Sequence, residues 1–333
     1  MKYNKDRNMI SRHFPTCSLK VWMMACISAF LSVSCGTITE ELPPCDNYIA
    51  FRYDYNMMFV DAFPSKVKRV DVYVFDDAGK FVTRFSDERT SFGEGYRMLC
   101  PLPVGKYRLV AWAGLYDRSY EFAETVSVPD ELSVRMRRGA NGVQDKELDA
   151  LWHGEAEMTV TDAEQHTVTV DLVKDTNKFR IVVQGPTEIG LEQESVDFAI
   201  TDNNGFLAAD NSLLPDERIT YKPYFKAGAD LGEGEGGMDA VVAELNTLRL
   251  LDDGRKPRLL IRNQDGKELV NIDLIKYLLL TKMEGHDMPA QEYLDRQDEY
   301  AMIFFLNKDA QGSYAIIQIK VNGWIIRPQS GDF

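Results

Sequence analysis

Residues 67–75 read VKRVDVYVF, and their alternation sets the fold class. Val70, Val72 and Val74 point to one face and Tyr73 and Phe75 to the other, the period of two that a strand imposes. Asp76-Asp77-Ala78-Gly79 is turn chemistry, and Phe81-Val82-Thr83-Arg84-Phe85 returns as the partner strand. On the N-terminal side, Tyr48 to Tyr55 alternates in the same way, and residues 56–64 form a bulky, irregular link. On the C-terminal side, Tyr96 to Leu102, Lys106 to Ala113 and Thr125 to Val128 read as short strands, set apart by Pro101, Pro103, Gly105 and Gly114. Short strands at this spacing, with few helical patterns between them, predict an all-β protein built as an antiparallel sandwich.

The pattern recurs further along. Ala156 to Val160 and His166 to Val173 alternate, and Lys174-Asp175-Thr176-Asn177-Lys178 separates them from the apolar strand Phe179 to Val183. That segment is the expected boundary between a sandwich over residues 45–174 and a second over 178–333. The second is expected to contain Val196 to Thr201, a β-turn at Asp202-Asn203-Asn204-Gly205, the pair Val242 to Leu251 and Arg258 to Arg262, and the closing strands Tyr300 to Leu306 and Tyr314 to Val321. A short helical insertion interrupts it: Ile272, Ile275, Leu278 and Leu279 sit at helix spacing, and Pro289 opens a second helix through Tyr293. Residues 227–237, AGADLGEGEGG, read as a mobile acidic surface loop.

The N-terminus addresses the chain. Five bases and one acid precede the apolar run Val21 to Cys35, the layout of a secretory signal too short to span a bilayer comfortably. Residues 31–36, LSVSCG, look like a lipobox, with Leu31 one place further from the cysteine than usual. Cleavage there removes residues 1–34, leaves Cys35 to carry lipid, and makes residues 35–44, with Pro43 and Pro44, a tether. Two or more acyl chains on Cys35 anchor a protein stably where one does not.

The whole chain of 333 residues carries a formal charge of −14, and loss of residues 1–34 takes it to −18. Such a balance argues against nucleic acid as a partner and against electrostatic binding to an anionic membrane surface. Cys45 and Cys100 are the thiols left after cleavage and lipidation, a candidate disulfide closing a loop of about 55 residues, or two free thiols. No Cys or His spacing suits a metal, and no cofactor motif is present. Asp202 starts no calcium loop, because position twelve is Leu213 where a bidentate Glu is needed. The glycines of residues 232–237 alternate with glutamates that repel phosphate. His153, His166 and His286 head no catalytic pattern. Tyr53, Tyr55, Tyr73 and Trp112 are expected in the core rather than on a sugar-binding face, and Arg135, Arg137 and Arg138 in a solvated loop. An enzyme is the least supported class.

Several stretches together resemble the FimB-type fimbrial anchor family of Bacteroidales: residues 51–57 (FRYDYNM), Asp61-Ala62-Phe63, residues 70–76 (VDVYVFD), residues 105–107 (GKY) leading into 109–115 (LVAWAGL), Trp152-His153-Gly154, residues 172–180 (LVKDTNKFR) and Asn322-Gly323-Trp324. They cover almost the whole mature chain in order, and none is catalytic. The resemblance implies a lipoprotein of type V pili with two tandem transthyretin-like β-sandwich domains, sitting at the fimbrial base, tethered to the outer membrane and contacting fimbrial stalk subunits. Glu40 and Glu41, soon after Cys35, resemble the signals that send Bacteroidales lipoproteins to the cell surface. A carbohydrate-binding surface lipoprotein and a tip or accessory adhesin of the same pilus are the alternatives.

Overall fold

The computed structural model describes residues 46–162, 165–230, 237–280, 282, 287–308, 314–322 and 324–326. Strands dominate them, in five sheets among the described residues. The first sheet has the order β10-β1-β4, with β1 Tyr48–Arg52, β4 Arg97–Leu99 and β10 Thr167–Asp171. The second, β11-β9-β5-β2-β3, is built from β2 Arg69–Asp76, β3 Phe81–Glu88, β5 Gly105–Ala113, β9 Trp152–Val160 and β11 Val173–Lys174. A small third sheet, β14-β7-β6, joins β6 Tyr120–Phe122 and β7 Ser133–Met136 to β14 Phe206–Ala208. The fourth, β19-β18-β13-β15-β8, comprises β8 Val143–Gln144, β13 Val196–Asp202, β15 Ile219–Tyr221, β18 Arg258–Asn263 and β19 Glu268–Asp273. The fifth, β16-β17-β12-β20-β21-β22, comprises β12 Thr176–Pro186, β16 Phe225–Asp230, β17 Met238–Leu248, β20 Glu299–Lys308, β21 Tyr314–Val321 and β22 Trp324–Ile326.

The two faces of β2 fall where the alternation of residues 67–75 puts them, and both are buried. Val70, Val72 and Val74 join Ile49, Phe51, Leu109 and Ala111 in one core. Tyr73 and Phe75 join Val110 and Trp112 in a larger core that also holds Phe179, Ile181 and Val183. The second sheet is thus a wall between two cores, which is why its central strands are nearly all apolar. The exception is Asp71, fully buried, whose carboxylate accepts from Arg69 Nε at 2.9 Å and Arg84 Nη2 at 2.7 Å. A charge this deep stands only when paired.

Turn chemistry appears as expected at residues 76–79. Gly79 N donates to Asp76 O at 2.8 Å with φ +77°, and Asp76 Oδ1 accepts from Ala78 N and Lys80 N. Two glycines of the resemblance are close-approach positions: a Cβ on Gly114 (φ +83°) would lie 1.9 Å from Ala150 O, and one on Gly154 would lie 2.4 Å from Asp171 O.

Other expectations need correction. The sandwich is not purely antiparallel: β1 with β10, β12 with β20, and β15 with β8 pair in parallel. Thr125 to Val128 is no strand; Ser127 O takes Phe81 N, and Pro129–Glu131 turns away as a 3-10 helix. The strand from Tyr48 stops at Arg52, because Tyr53 N turns to Asp61 Oδ1. In the irregular link a short helix forms, α1 Phe63–Lys66, started by Pro64. Residues 227–230 of the expected mobile loop belong to β16, laddered to β17, while residues 231–236 lie outside the described residues. The helical insertion is α2 Leu274–Leu279, capped by Asp273 accepting from Lys276 N, and α3 Ala290–Arg296. Ile272 belongs to β19 instead, and α3 runs three residues past Tyr293.

Candidate interaction surfaces

The strand that follows the tether is built into the fold. β1 runs parallel to β10 through five residue pairs and antiparallel to β4 through three. Its inward residues Ile49 and Phe51 are buried. Phe51 stacks on Phe63 with ring centroids 5.3 Å apart and Phe63 on Phe92 at 5.1 Å, while Tyr96 meets Phe92 at a tilt, 4.5 Å away. Offset ring pairs of this kind add to simple burial. Outside, Arg52 Nε donates to Asp171 Oδ1 at 2.7 Å across the parallel pair.

The DTN of residues 175–177 is a buried polar junction, a role that its position between strands concealed. Asp175, Thr176 and Asn177 are all buried. Asp175 Oδ1 accepts from Asn211 Nδ2 at 2.8 Å, and Asn177 Nδ2 and Asn204 Nδ2 both donate to Leu248 O. Arg249 makes a bidentate pair with Asp295 of α3, 2.8 Å on each arm. Burial pushes the Asp175 carboxyl up to about 7, against the pull of Arg249 and the Asn211 hydrogen bond. Next to this junction, burial pushes His153 down to about 4, and its Nε2 bonds Ala209 O at 2.8 Å. The buried Asn204 takes part in this network through Tyr221 OH, which donates to its Oδ1. The sequence signal was present, three polar residues between two apolar strands, but not its depth.

The basic run also has a fixed role. Arg135 Nη1 and both terminal nitrogens of Arg138 hold Asp216 at 2.7–2.8 Å, while Arg137 pairs with Glu121. Burial raises the Asp216 carboxyl, but Arg138 and Arg135 outweigh it and hold it below the ordinary value. The solvated loop expected there is therefore a clamp between β7 and the segment before β15. Tyr53, Tyr73 and Trp112 are in the core as expected, and Tyr55 is half-buried with the Arg296 guanidinium 4.0 Å from its ring centre. These four form no platform for sugar.

His166 Nε2 bonds Thr161 Oγ1, a different partner from that of His153, and His286 lies outside the described residues. Among the described residues no group of three or more His, Cys, Asp and Glu converges as a metal site. Cys100 is a buried thiol, pushed up to about 12 by its apolar surroundings. Cys35 and Cys45 lie outside the described residues. No helix among them is long and apolar enough to cross a membrane.

Two surfaces bear on assembly. At the far end of β1, Met58, Phe59 and Val60 are exposed by 79%, 52% and 61% on a braced turn. Asn56 Nδ2 donates to Tyr53 O and Val60 O there, and Phe59 is left-handed at φ +53°. A cleft of about 440 Å³ beside it is lined by Tyr53, Met58, Val60, Lys66 and Trp152. The other surface is β22, the last strand of the fifth sheet, paired among the described residues only to β21.

The family model for fimbrillin-A associated anchor proteins Mfa1 and Mfa2 matches residues 42–330. A Bacteroides thetaiotaomicron structure described as a candidate polysaccharide-binding protein is 36% identical, with a TM-score of 0.76 over 87% of this chain and 100% of that one. A candidate adhesin from the same organism is 33% identical, with a TM-score of 0.75 over 86% and 99%. The fimbrial anchor protein Mfa2 of Porphyromonas gingivalis, 19% identical, shares the fold with a TM-score of 0.65 over 86% and 100%. No curated protein matches. The fimbria-associated chain described here belongs to the family of fimbrillin-A associated anchor proteins.

Proposed function

We propose that this protein is a non-enzymatic base subunit that holds a fimbrial filament on the outer membrane and limits its length. The observation that carries the reading is the seat of β1. A lipid on Cys35 would be covalently continuous with a strand held by ladders on both sides, so pull on the filament would pass into the sheet as shear across several hydrogen bonds. Donor-strand assembly needs an open place in a sheet for the incoming strand. A chain that keeps β1 fills its own place between β10 and β4, so it can engage neighbours at one end only and acts as a stopper. The C-terminal segment Tyr314 to Ile326, with β22 at a sheet edge, is the proposed contact with the first stalk subunit. In this reading residues 1–34 are the signal, 35–44 the tether, and residues 45–174 and 178–333 the two sandwich halves; a Cys45–Cys100 disulfide would secure the start of the first.

A Cys35→Ala variant tests the anchor. Release of the protein from membranes, with filaments shed or elongated, is expected; a variant that stays membrane-bound with filaments attached would sink the reading. Deletion beyond Val321 is expected to detach filaments while leaving the protein on the membrane. The polysaccharide-binding description of the 36% identical relative favours a second reading, a glycan-binding lipoprotein. Glycan-array binding by a protein absent from the filament base would support it instead.

A further inference from the structure

Where β1 begins, residues 97–104 carry an outward apolar stripe. Met98, Cys100 and Leu102 are buried, whereas Leu99, Pro101, Pro103 and Val104 face out, Leu99 at 48% and Val104 at 65% exposure. Leu99 lies opposite Tyr48, the first residue of β1, and Cys100 N donates to Asn47 O at 2.7 Å. The stripe therefore borders the point at which the chain arrives from Cys35. It begins at Leu99 on β4, the edge of the first sheet, and continues through the segment that follows, and exposed edges invite another strand. Here Pro101 and Pro103 supply no N–H, so a ladder could not extend along it. An apolar surface without directional bonding suits the stripe better than a β-partner does. Beside it the Arg97 guanidinium lies 4.7 Å from the Tyr48 ring centre. An amphipathic ring and a long cation are side chains that settle at a membrane–water boundary.

We propose that Leu99, Pro101, Pro103 and Val104 rest in the interface of the bilayer that holds Cys35, with Tyr48 and Arg97 at headgroup level. The inference rests on the lipid-anchor reading above. Asn47 lies twelve residues after Cys35. That length reaches about 40 Å fully extended and roughly 20 Å as a flexible coil. The anchored stripe is thus held at high effective concentration near the bilayer, where weak insertion suffices. Seating it would stop the protein from swinging on its tether and would turn the Met58 end of β1 away from the membrane.

The test uses the lipidated full chain with Cys45→Ala, which leaves the buried Cys100 as the remaining native thiol in the described fold. An environment-sensitive fluorophore is placed on Val104→Cys or, for comparison, on Met58→Cys, and the protein is reconstituted on phosphatidylethanolamine–phosphatidylglycerol vesicles. Emission at position 104 is expected to rise roughly twofold or more over the detergent-free soluble Cys35→Ala form and to be quenched by brominated acyl chains, with position 58 unchanged. Equal, aqueous readings at 104 and 58 in protein that floats with the vesicles would overturn the inference and leave the anchor standing. Failure to float would overturn the anchor, and the inference with it. Dimerisation of the Cys35→Ala chain that Val104→Asp abolishes would assign the stripe to a second copy, which also overturns it.

Discussion

The seat of β1 and the junction around Asp175 both join segments far apart in the chain, one with rings and the other with charges. At the seat, Phe51, Phe63, Phe92 and Tyr96 stack around the inward face of β1. Burial of this kind is non-directional and indifferent to pH. At the junction, Asp175, Asn211, Arg249 and Asp295 meet through directed bonds in a site without water's dielectric. Such a network specifies one arrangement, and it is costly when any member is lost. The difference teaches that the seat of β1 rests on apolar contacts that do not change with pH, whereas the junction rests on directed bonds around a group that titrates.

Arg249→Ala should give the largest effect. It leaves the buried Asp295 without its guanidinium and removes the charge that holds the Asp175 carboxyl down, so a loss of about 4–5 kcal/mol in urea unfolding is expected at pH 8. A smaller loss is expected at pH 5, where Asp175 is protonated in the folded protein. Phe63→Ala at the seat should cost about 3–4 kcal/mol by opening a cavity among three rings, equally at both pH values. Equal pH dependence in the two variants would erase the distinction between the regions.

Asp175→Asn sharpens the comparison further. The folded carboxyl is raised to about 7 from an ordinary value near 4, so its stabilising effect is full below about pH 4 and is lost as pH rises to 7. The neutral variant should therefore match the parent at pH 4 and exceed it by about 1–3 kcal/mol above pH 7, read as a difference in urea midpoint. His153 has the opposite sign: lowered to about 4, it contributes above about pH 6.5 and loses that contribution as pH falls to 4. His153→Gln should accordingly flatten the acid side of the profile. The smallest effect belongs to Met58→Ser on the exposed turn, within about 0.5 kcal/mol. A much larger loss there would mean that the turn is part of the seat rather than a surface beside it.

The chain's local pattern was sufficient for much of this. Residues 67–75 gave their strand and the correct assignment of Val70, Val72 and Val74 to one face and Tyr73 and Phe75 to the other, because a strand's period is a property of neighbouring residues. The turn at Gly79 and the core positions of Tyr53, Tyr73 and Trp112 were legible for the same reason. Thr125 to Val128 shows the limit: it alternates like a strand yet finds no ladder. Arg135 and Arg138 read as solvated until Asp216, about 80 residues away, is brought beside them.

By itself the sequence determined an all-β chain, its turns, most of its inward residues and its membership of a fimbrial anchor family. Only the tertiary structure decided that β1 lies parallel to β10 between two partners, that the second sheet divides two cores, and that Asp175 is buried with Arg249 nearby. Period and turn chemistry are set by adjacent residues. Which strands pair, and how deeply a polar group lies, depend on contacts between residues from a few tens to more than a hundred positions apart, which no local pattern records.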